Sequence, residues 1–356
     1  MGGWLCSWLT RIGAEVHGYA LAAPTQPSFH DAMGLDKTLQ STIADIRDRD
    51  RLTETLRASQ AEIVFHLAAQ PLVRQAYADP VETYAVNVMG TVHLLEAMRH
   101  TDTVRAAVIV TTDKVYENLE QSTGYREADR LGGREPYGSS KACAELAVSA
   151  FHRSYFIGAD APGIATVRAG NIIGGGDWAA DRLVPDAVRA FAAGKVLDIR
   201  HPDAVRPWQH VLDPVRGFLL LAERLAKTPA AWSPAWNFGP PESDARPVGW
   251  MADRLTHYWG KTAAWQAVKD AGPHEARLLM LSSVKAQMEL GWVTQWDADE
   301  AIRQTVEWYK QFYDGCDMRA FTERQIASLE GISKRDKQYS AKAQRDASIH
   351  EPASQF

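Results

Sequence analysis

Val108 to Lys141 reads VIVTTDKVYENLEQSTGYREADRLGGREPYGSSK, and its two ends decide the architecture. The apolar run Ala107–Val110 has the length and β-branched content of a buried strand. It stops abruptly at Thr111-Thr112-Asp113-Lys114, so polar groups collect at the C-terminal end of the strand. In open α/β sheets that end is where ligands bind. Tyr137 follows Thr112 by 25 residues, and Pro136 is placed to open a helix of small residues over Gly138–Ala150. Tyr137 and Lys141 are four apart and share one helical face. An ammonium near a phenol favours the phenolate, moving the phenol toward neutral pH where it can act as a base. With 11 tyrosines in the chain, a Tyr-x-x-x-Lys alone is weak. The polar strand end, the long loop and the pair at a helix start are together far more specific.

Composition bounds the rest. The 356 residues, 46% hydrophobic and 23% charged, can bury one large core or two modest ones. A net charge of −5 argues against a nucleic-acid binder working through a basic face. Cys6, Cys143 and Cys316 lie far apart and form no C-x-x-C, which suits a cytoplasmic protein with reduced thiols. The apolar start is too short and broken for a membrane span and lacks the basic start of a signal peptide, so no membrane partner is expected.

Before the central stretch, Met1–Gly13 reads as an amphipathic helix with Trp4, Leu5, Trp8, Leu9 and Ile12 on one face. Glu15–Leu21 is the strand after it. A doubly wound sheet normally begins with a strand and a glycine-rich turn that feeds the first helix, whereas only Gly2 and Gly3 stand before this one. The pattern is that of a sheet lacking roughly one strand and one turn at its front. Pro24–Lys37 reads as loop. Ser41–Asp48 is a strand end leading into a helix from Asp48 to Ala58, with Asp45 and Asp48 as a cap and a solvated charge. Glu62–Ala69 is a buried strand ending in the small residues Ala68 and Ala69, with His66 a satisfied core histidine. A long helix over Pro80–His100 carries Tyr84, Val88, Val92 and Leu95 as its buried stripe and leaves Asn87 on another face.

After it, the helix from Tyr137 runs to Tyr155, and Gly163–Ala169 is another strand. The three glycines in Asn171–Trp178 look like a phosphate cradle, but no Gly-Lys-Ser/Thr follows, so this is no P-loop. Arg182, Leu183 and Val184 open the next helix, and Val196–Arg200 is a short strand. Val205–Val211 concentrates Arg206, Trp208, Gln209 and His210, a density of hydrogen-bonding and stacking groups suited to an anionic nucleotide. Asp213–Ala226, Val248–Trp259 and Ser283–Leu290 are helices, Ala235–Gly239 is a strand, and Trp292, Trp296, Trp308 and Tyr309 build a local core. From Ser333 onward the chain reads as a disordered tail.

With those residues in view, the chain resembles the extended short-chain dehydrogenase/reductases, and within them the CDP-glucose 4,6-dehydratases, from Gly2 to about Ile332. The carriers are DIRD, FHLAAQPLVRQAY, VIVTTDKVYEN, EPYGSSKACAE, RAGNIIGGGDWA, RLVPD, VRPWQHVLDP and WNFGP. Thr-Thr-Asp-Lys is informative because the related dTDP-glucose dehydratases carry Glu where Lys114 stands. Two departures stand out. The family's G-x-x-G-x-x-G turn should precede Trp4, with Gly2 alone matching its last glycine, and Ser282 replaces an aspartate.

The resemblance implies an α/β fold, a Rossmann-like doubly wound parallel sheet with a smaller mixed C-terminal substrate domain. Residues 1–170 and 211–239 would form the NAD-binding part, and 171–210 and 240–332 the sugar-nucleotide part. It implies bound NAD, a CDP-glucose substrate, no metal, and a net redox-neutral dehydration. The strand ending at Leu21 lacks the acidic residue that selects the free 2′-hydroxyl, so NAD over NADP rests on the likeness alone. Tyr137, aided by Lys141 and Thr112, would take the proton of the sugar 4-hydroxyl, Lys114 the C5 proton, and Asp113 would protonate the leaving 6-hydroxyl. Gly2, Asp45, Ile46, Leu67, Ala68 and Ala69 would line the cofactor together with Tyr137 and Lys141. Asn171, Arg182, Leu183 and Arg206 would face the substrate. Members of this superfamily pair through a four-helix bundle, here Pro80–His100 and Tyr137–Tyr155. Val81, Val86, Met89, Val148 and Phe151 supply its apolar surface, which implies a homodimer or homotetramer. Two rivals stand beside this reading: a dehydratase of a UDP-linked amino sugar, and a non-catalytic relic lacking the glycine turn.

Overall fold

The first helix and the first strand are where the sequence places them: α1 (Gly2–Arg11) buries Trp4, Leu5 and Trp8, and β1 (His17–Ala20) follows. The structure, a computed structural model, describes residues 1–229, 235–269 and 278–332. Pro24–Lys37 is not all loop, because α2 (Phe29–Met33) and a 3-10 turn at Leu35–Lys37 lie within it. Five residues are too few to show a period. The signal is a cap, the Ser28 hydroxyl accepting from the Asp31 N–H at 3.1 Å. Phe29 then packs between Trp4 and Trp308. β2 (Gln40–Ile43) pairs in parallel with β1, and Asp48 caps α3 (Arg49–Ser59).

β3 (Ile63–His66) leads to α4 (Val73–Ala78) and then to the long helix expected, which runs without a break through α5 (Pro80–Tyr84), a π-helical turn at Ala85–Met89 and α6 (Gly90–Met98). The buried face differs from the expected stripe. Thr83, Asn87, Thr91, Leu94 and Leu95 point inward, while Tyr84 is exposed and Val88 and Val92 are half-buried. The wider π turn carries an extra residue and shifts the helical phase there. Polar residues can occupy the inner face because they are paired. Asn87 Oδ1 accepts from the Gln70 N–H at 2.8 Å, and its amide donates to the Gln70 carbonyl at 3.1 Å and to Ser140 Oγ at 2.9 Å.

β4 (Ala106–Val110) is buried throughout, and α7 (Pro136–Tyr155) and β5 (Gly163–Arg168) follow. Beyond them lie β6 (Ile172–Ile173), α8 (Leu183–Ala192), β7 (Leu197–Ile199), β8 (Val205–Pro207), β9 (Gln209–His210) and α9 (Leu212–Lys227). β10 (Ala235–Asn237), β11 (Ala245–Pro247), α10 (Val248–Trp259), β12 (Trp265–Ala267), α11 (Val284–Leu290), α12 (Ala298–Tyr313) and α13 (318–332) complete the described chain. A parallel sheet of order β10-β5-β4-β3 puts β4 inside, and β1 and β2 form a separate parallel pair. This is the α/β layering that alternating strands and helices produce. Residues 333–356, read as a tail, lie outside the described residues.

The four aromatic residues expected in one local core belong to two. Trp292 packs with Trp236 and Phe238 beneath the sheet, whereas Trp296, Trp308 and Tyr309 share a core with Trp4 and Trp8 of α1. The glycines at 174–176 serve that second core. A Cβ at Gly175 would lie 2.1 Å from the Trp308 ring, and Trp4 Nε1 donates to the Gly175 carbonyl at 2.9 Å. Gly174 and Gly176 likewise make room for Val211 and Phe29. No helix among the described residues is long and apolar enough to cross a membrane.

Candidate active site

Two elements build the site, the end of β4 and the start of α7. Beyond Val110 the chain turns at once into a 3-10 turn, Asp113–Val115, capped by Thr112, whose hydroxyl accepts from the Lys114 N–H at 3.3 Å. The same hydroxyl donates to Asp113 Oδ1 at 3.0 Å. Asp113 is buried, and its Oδ2 accepts from the Asn171 amide at 3.3 Å. A Cβ at Gly170 would fall 2.0 Å from that Oδ2, so glycine there is a condition for the carboxyl to lie where it does. Lys114 is half-buried, and among the described residues its ammonium makes no hydrogen bond or ion pair.

Glu135 starts α7 by accepting from the Tyr137 and Gly138 N–H groups, both at 2.7 Å, and so fixes Tyr137 in the first turn. Tyr137 is buried with the Thr112 side chain close enough to its phenol to act on its acidity, which sets the phenol beside the turn at Asp113. Lys141, one turn further along α7, donates its ammonium to the Val110 carbonyl at 3.0 Å. Burial pushes the Tyr137 phenol up to about 12, with the Thr112 side chain and the Arg182 charge pulling down and Asp113 and Glu135 pushing up. Burial likewise pulls Lys141 down to about 8, against the charge of Glu145. His66 is the satisfied core histidine expected: its Nε2 lies 3.0 Å from Thr91 Oγ1, and burial together with the Lys141 charge holds it down to about 3, hence neutral.

The other expected residues are less tightly gathered. Arg182 stands at the N-cap of α8, paired with Asp177 at 2.7 Å, and its charge reaches Tyr137; Leu183, half-buried, is the first residue of α8. Asn171 sits at φ 52° and reaches Asp113. Arg206 lies on β8, opposite Arg246 of β11, and its guanidinium donates to the Val205 carbonyl. Gly2 opens α1. Asp45 is held below the usual carboxylate range, mainly by hydrogen bonding to Arg47, while Ile46 is buried against Gly90. Leu67, Ala68 and Ala69 are half-buried at the end of β3.

Sequence reading missed a buried network behind the turn. Thr111 Oγ1 donates to Glu145 Oε1 at 2.6 Å, and Glu145 pairs with Arg168, both side chains buried. Arg168 also donates to the Tyr116 hydroxyl at 2.7 Å, which donates to Asn237 Oδ1 at 2.8 Å. The signal available was an arginine ending an otherwise apolar strand, with a glutamate one turn after Lys141. Among the described residues, no group of side chains could hold a metal ion.

Known proteins align with this arrangement. The chain is 46% identical to the CDP-glucose 4,6-dehydratase of Salmonella typhimurium, over 94% of both chains. It is 28% identical to the dTDP-glucose 4,6-dehydratase of Xanthomonas campestris, over 74% of this chain and 77% of that one. A Bacillus cereus UDP-glucuronic acid 4-epimerase, solved with UDP-glucuronic acid and NAD, superposes with a TM-score of 0.75 at 23% identity, over 88% of this chain and 96% of that one. Residues 1–232 match the family model described as GDP-mannose 4,6 dehydratase. The chain therefore belongs to the GDP-mannose 4,6-dehydratase family, on a Rossmann-like α/β fold.

Proposed function

We propose that this protein is a sugar-nucleotide 4,6-dehydratase that uses NAD to convert CDP-glucose to CDP-4-keto-6-deoxyglucose. What carries the reading is the meeting of Tyr137, Thr112 and Asp113 at one strand end, with Lys114 next in the chain. The likeness to a CDP-glucose 4,6-dehydratase supplies the base and the sugar.

The residues present fit the cofactor. An ammonium has three donors, and among the described residues the Val110 carbonyl is the only partner of Lys141, which leaves two donors for hydroxyls such as those of a ribose. A Cβ at Gly2 would meet nothing within 4 Å, so the first residue of α1 is open on that side, where free helix N–H groups can receive an anion. Lys141, Gly2, Ile46, Ala68 and Ala69 would hold NAD. When bound, it supplies the acceptor for the two electrons released at sugar C4 and the donor for their return at C6.

The protein's own groups move the protons. Tyr137 takes the proton of the 4-hydroxyl, and the Arg182 charge, with the Thr112 hydroxyl when it turns from Asp113 to the phenol oxygen, favours the phenolate against burial. The resulting 4-ketone acidifies the C5 proton, which Lys114 removes as a neutral amine. Asp113, as the acid, gives its proton to the 6-hydroxyl, which leaves as water; Asn171 steadies that carboxyl, and Lys114 gives its proton back to C5 when the hydride returns at C6.

Incubation with CDP-glucose and with UDP-N-acetylglucosamine in separate reactions tests the substrate. A 4-keto product from CDP-glucose is expected, and turnover of the UDP sugar alone would overturn the assignment.

We infer that the protein works in the cytoplasm, since all three cysteines are free thiols, and that it works as at least a homodimer. Val81 (79% exposed), Met89, Leu146 and Tyr155 give α5 to α7 an uncovered apolar face. Val148, counted to that face from the sequence, lies in the core instead, because its position on α7 turns it toward Ile109 and Ile164. A monomer in sedimentation at micromolar concentration would refute the pairing.

A further inference from the structure

The buried network behind the catalytic turn has no part in the proton transfers described above, yet it touches both elements that carry them. Glu145 lies on α7 one turn beyond Lys141, and both are buried. Its Oε1 accepts from Thr111 Oγ1 at 2.6 Å and from Arg168 Nε at 2.8 Å. Thr111 is the residue after Val110, whose carbonyl holds the Lys141 ammonium at 3.0 Å. Thr111 is tied again by its N–H to the Val167 carbonyl at 2.8 Å, on the strand that carries Arg168. One carboxylate thus serves two cations and one strand end.

We propose that Glu145 is a positioning residue for Lys141: it fixes the strand end that anchors the ammonium, and its charge, shared with Arg168, sets how readily Lys141 holds its proton. The inference rests on the reading of Lys141 as a functional lysine. The other groups around Lys141 are His66 from β3, neutral for the reasons given, Tyr137 one turn earlier on α7, and Asp113 three residues beyond Val110. Arg168 is the counterweight, standing behind Glu145 on β5. The downward pull of burial on Lys141, opposed by Glu145, agrees with this arrangement.

The two partners of the pair make a signed test. Glu145→Gln removes the anion, so Lys141 should lose its proton more easily. Arg168→Met leaves Glu145 to act on Lys141 alone, so Lys141 should hold its proton more tightly. The Nζ resonance of Lys141, followed through a pH titration of protein labelled with 15N-lysine and without substrate, should shift its midpoint in opposite directions. About tenfold in the proton equilibrium each way is expected. Shifts in the same direction, or none, would overturn the proposal. Breaking a buried pair destabilises, so either variant can fail to fold. Thr111→Val then decides, because it conserves volume and both charges: a kcat lowered about tenfold with KM unchanged supports the tether, and a wild-type kcat overturns it. A wild-type enzyme inactive on CDP-glucose, with the opposed shifts intact, would fail the assigned activity and leave the positioning role standing.

Discussion

Asn87→Ala isolates the tether between the loop after β3 and the first turn of α7. The Asn87 side chain is fully buried and makes three hydrogen bonds, two to the backbone of Gln70 and one to Ser140 Oγ. Ser140 keeps a partner without it, because its hydroxyl also donates to the Tyr137 carbonyl at 2.7 Å. The Gln70 N–H and carbonyl do not. A buried polar group left unsatisfied costs about 1–3 kcal/mol, which gives roughly 2–6 kcal/mol for the two. Gln70 is half-buried, so water can reach part of the gap and the loss should fall in the lower half of that range. Against a typical stability of about 5–15 kcal/mol this is large. Urea unfolding followed by tryptophan fluorescence measures it, and kcat on the same preparation should drop at least about tenfold as Tyr137 loses its neighbour's tether. Asn87→Asp keeps the acceptor for the Gln70 N–H and loses the donors, so it should be intermediate. A loss below about 1 kcal/mol with an unchanged kcat would refute the reasoning, since that is less than one unsatisfied group.

Tyr137→Phe should lower product formation by about two to four orders of magnitude, and Lys114→Ala should in addition stop exchange of the C5 proton with deuterated solvent, read by mass spectrometry. Exchange at the wild-type rate in Lys114→Ala would remove it as the C5 base. Asp213 is fully buried and pushed up to about 7 by burial, against about 3.9 unfolded, so the native state binds the extra proton between roughly pH 4 and 7 and stability falls as pH rises through that window. Asp213→Asn keeps an acceptor for the Gln295 N–H and should flatten that fall, worth on the order of 2–3 kcal/mol between pH 5 and 8, in urea titrations at those two pH values; an unchanged pH dependence in the variant would show that Asp213 is not its source. Gly175→Ala drives a Cβ into the Trp308 ring and should cost about 1–3 kcal/mol in the same assay, with wild-type stability the refuting result.

What the sequence made legible was what repeats or what is rare. β4, β5 and α7 were readable because an apolar run is long enough to bury and because Pro136 at the head of a helix has few other uses. The polar turn beyond β4 was readable because Thr112, Asp113 and Lys114 end such a run. The π turn around Asn87 was not, since an extra residue in one helical turn leaves no mark in composition and a period of 3.6 carried through it gives the wrong face. α2 was hidden for the opposite reason, being too short to have a period. The pairing of Glu145 with Arg168 joins residues 23 apart with no spacing rule between them, and only the fold brings them together. Tyr137 with Lys141 shows how far spacing reaches. Spacing puts two residues on one helical face, but a four-carbon stem can carry the ammonium elsewhere, here to the Val110 carbonyl.

The two residues proposed as acid and base of the elimination are neighbours in sequence and opposites in setting. Asp113 is buried, held at one oxygen by Thr112 and at the other by Asn171, and backed by the glycine at 170 whose missing Cβ makes the space. It has one position. Lys114 begins from the same turn, with its backbone N–H fixed to Thr112, but its ammonium has no partner among the described residues. A proton donor to a departing hydroxyl benefits from being held still and dry, because the reacting atoms must meet at hydrogen-bond distance in a site that excludes water. A base that must collect a proton from carbon and then surrender it gains from a long stem with staggered rotamers and no ion pair to break. The 3-10 turn reconciles the two needs within consecutive residues, turning Asp113 into the protein beside β5 and leaving the Lys114 side chain unattached. On this argument Asp113→Glu, which adds one methylene beside Gly170, should harm the reaction nearly as much as Asp113→Asn, whereas Lys114→Arg should keep its fold and lose only the C5 step.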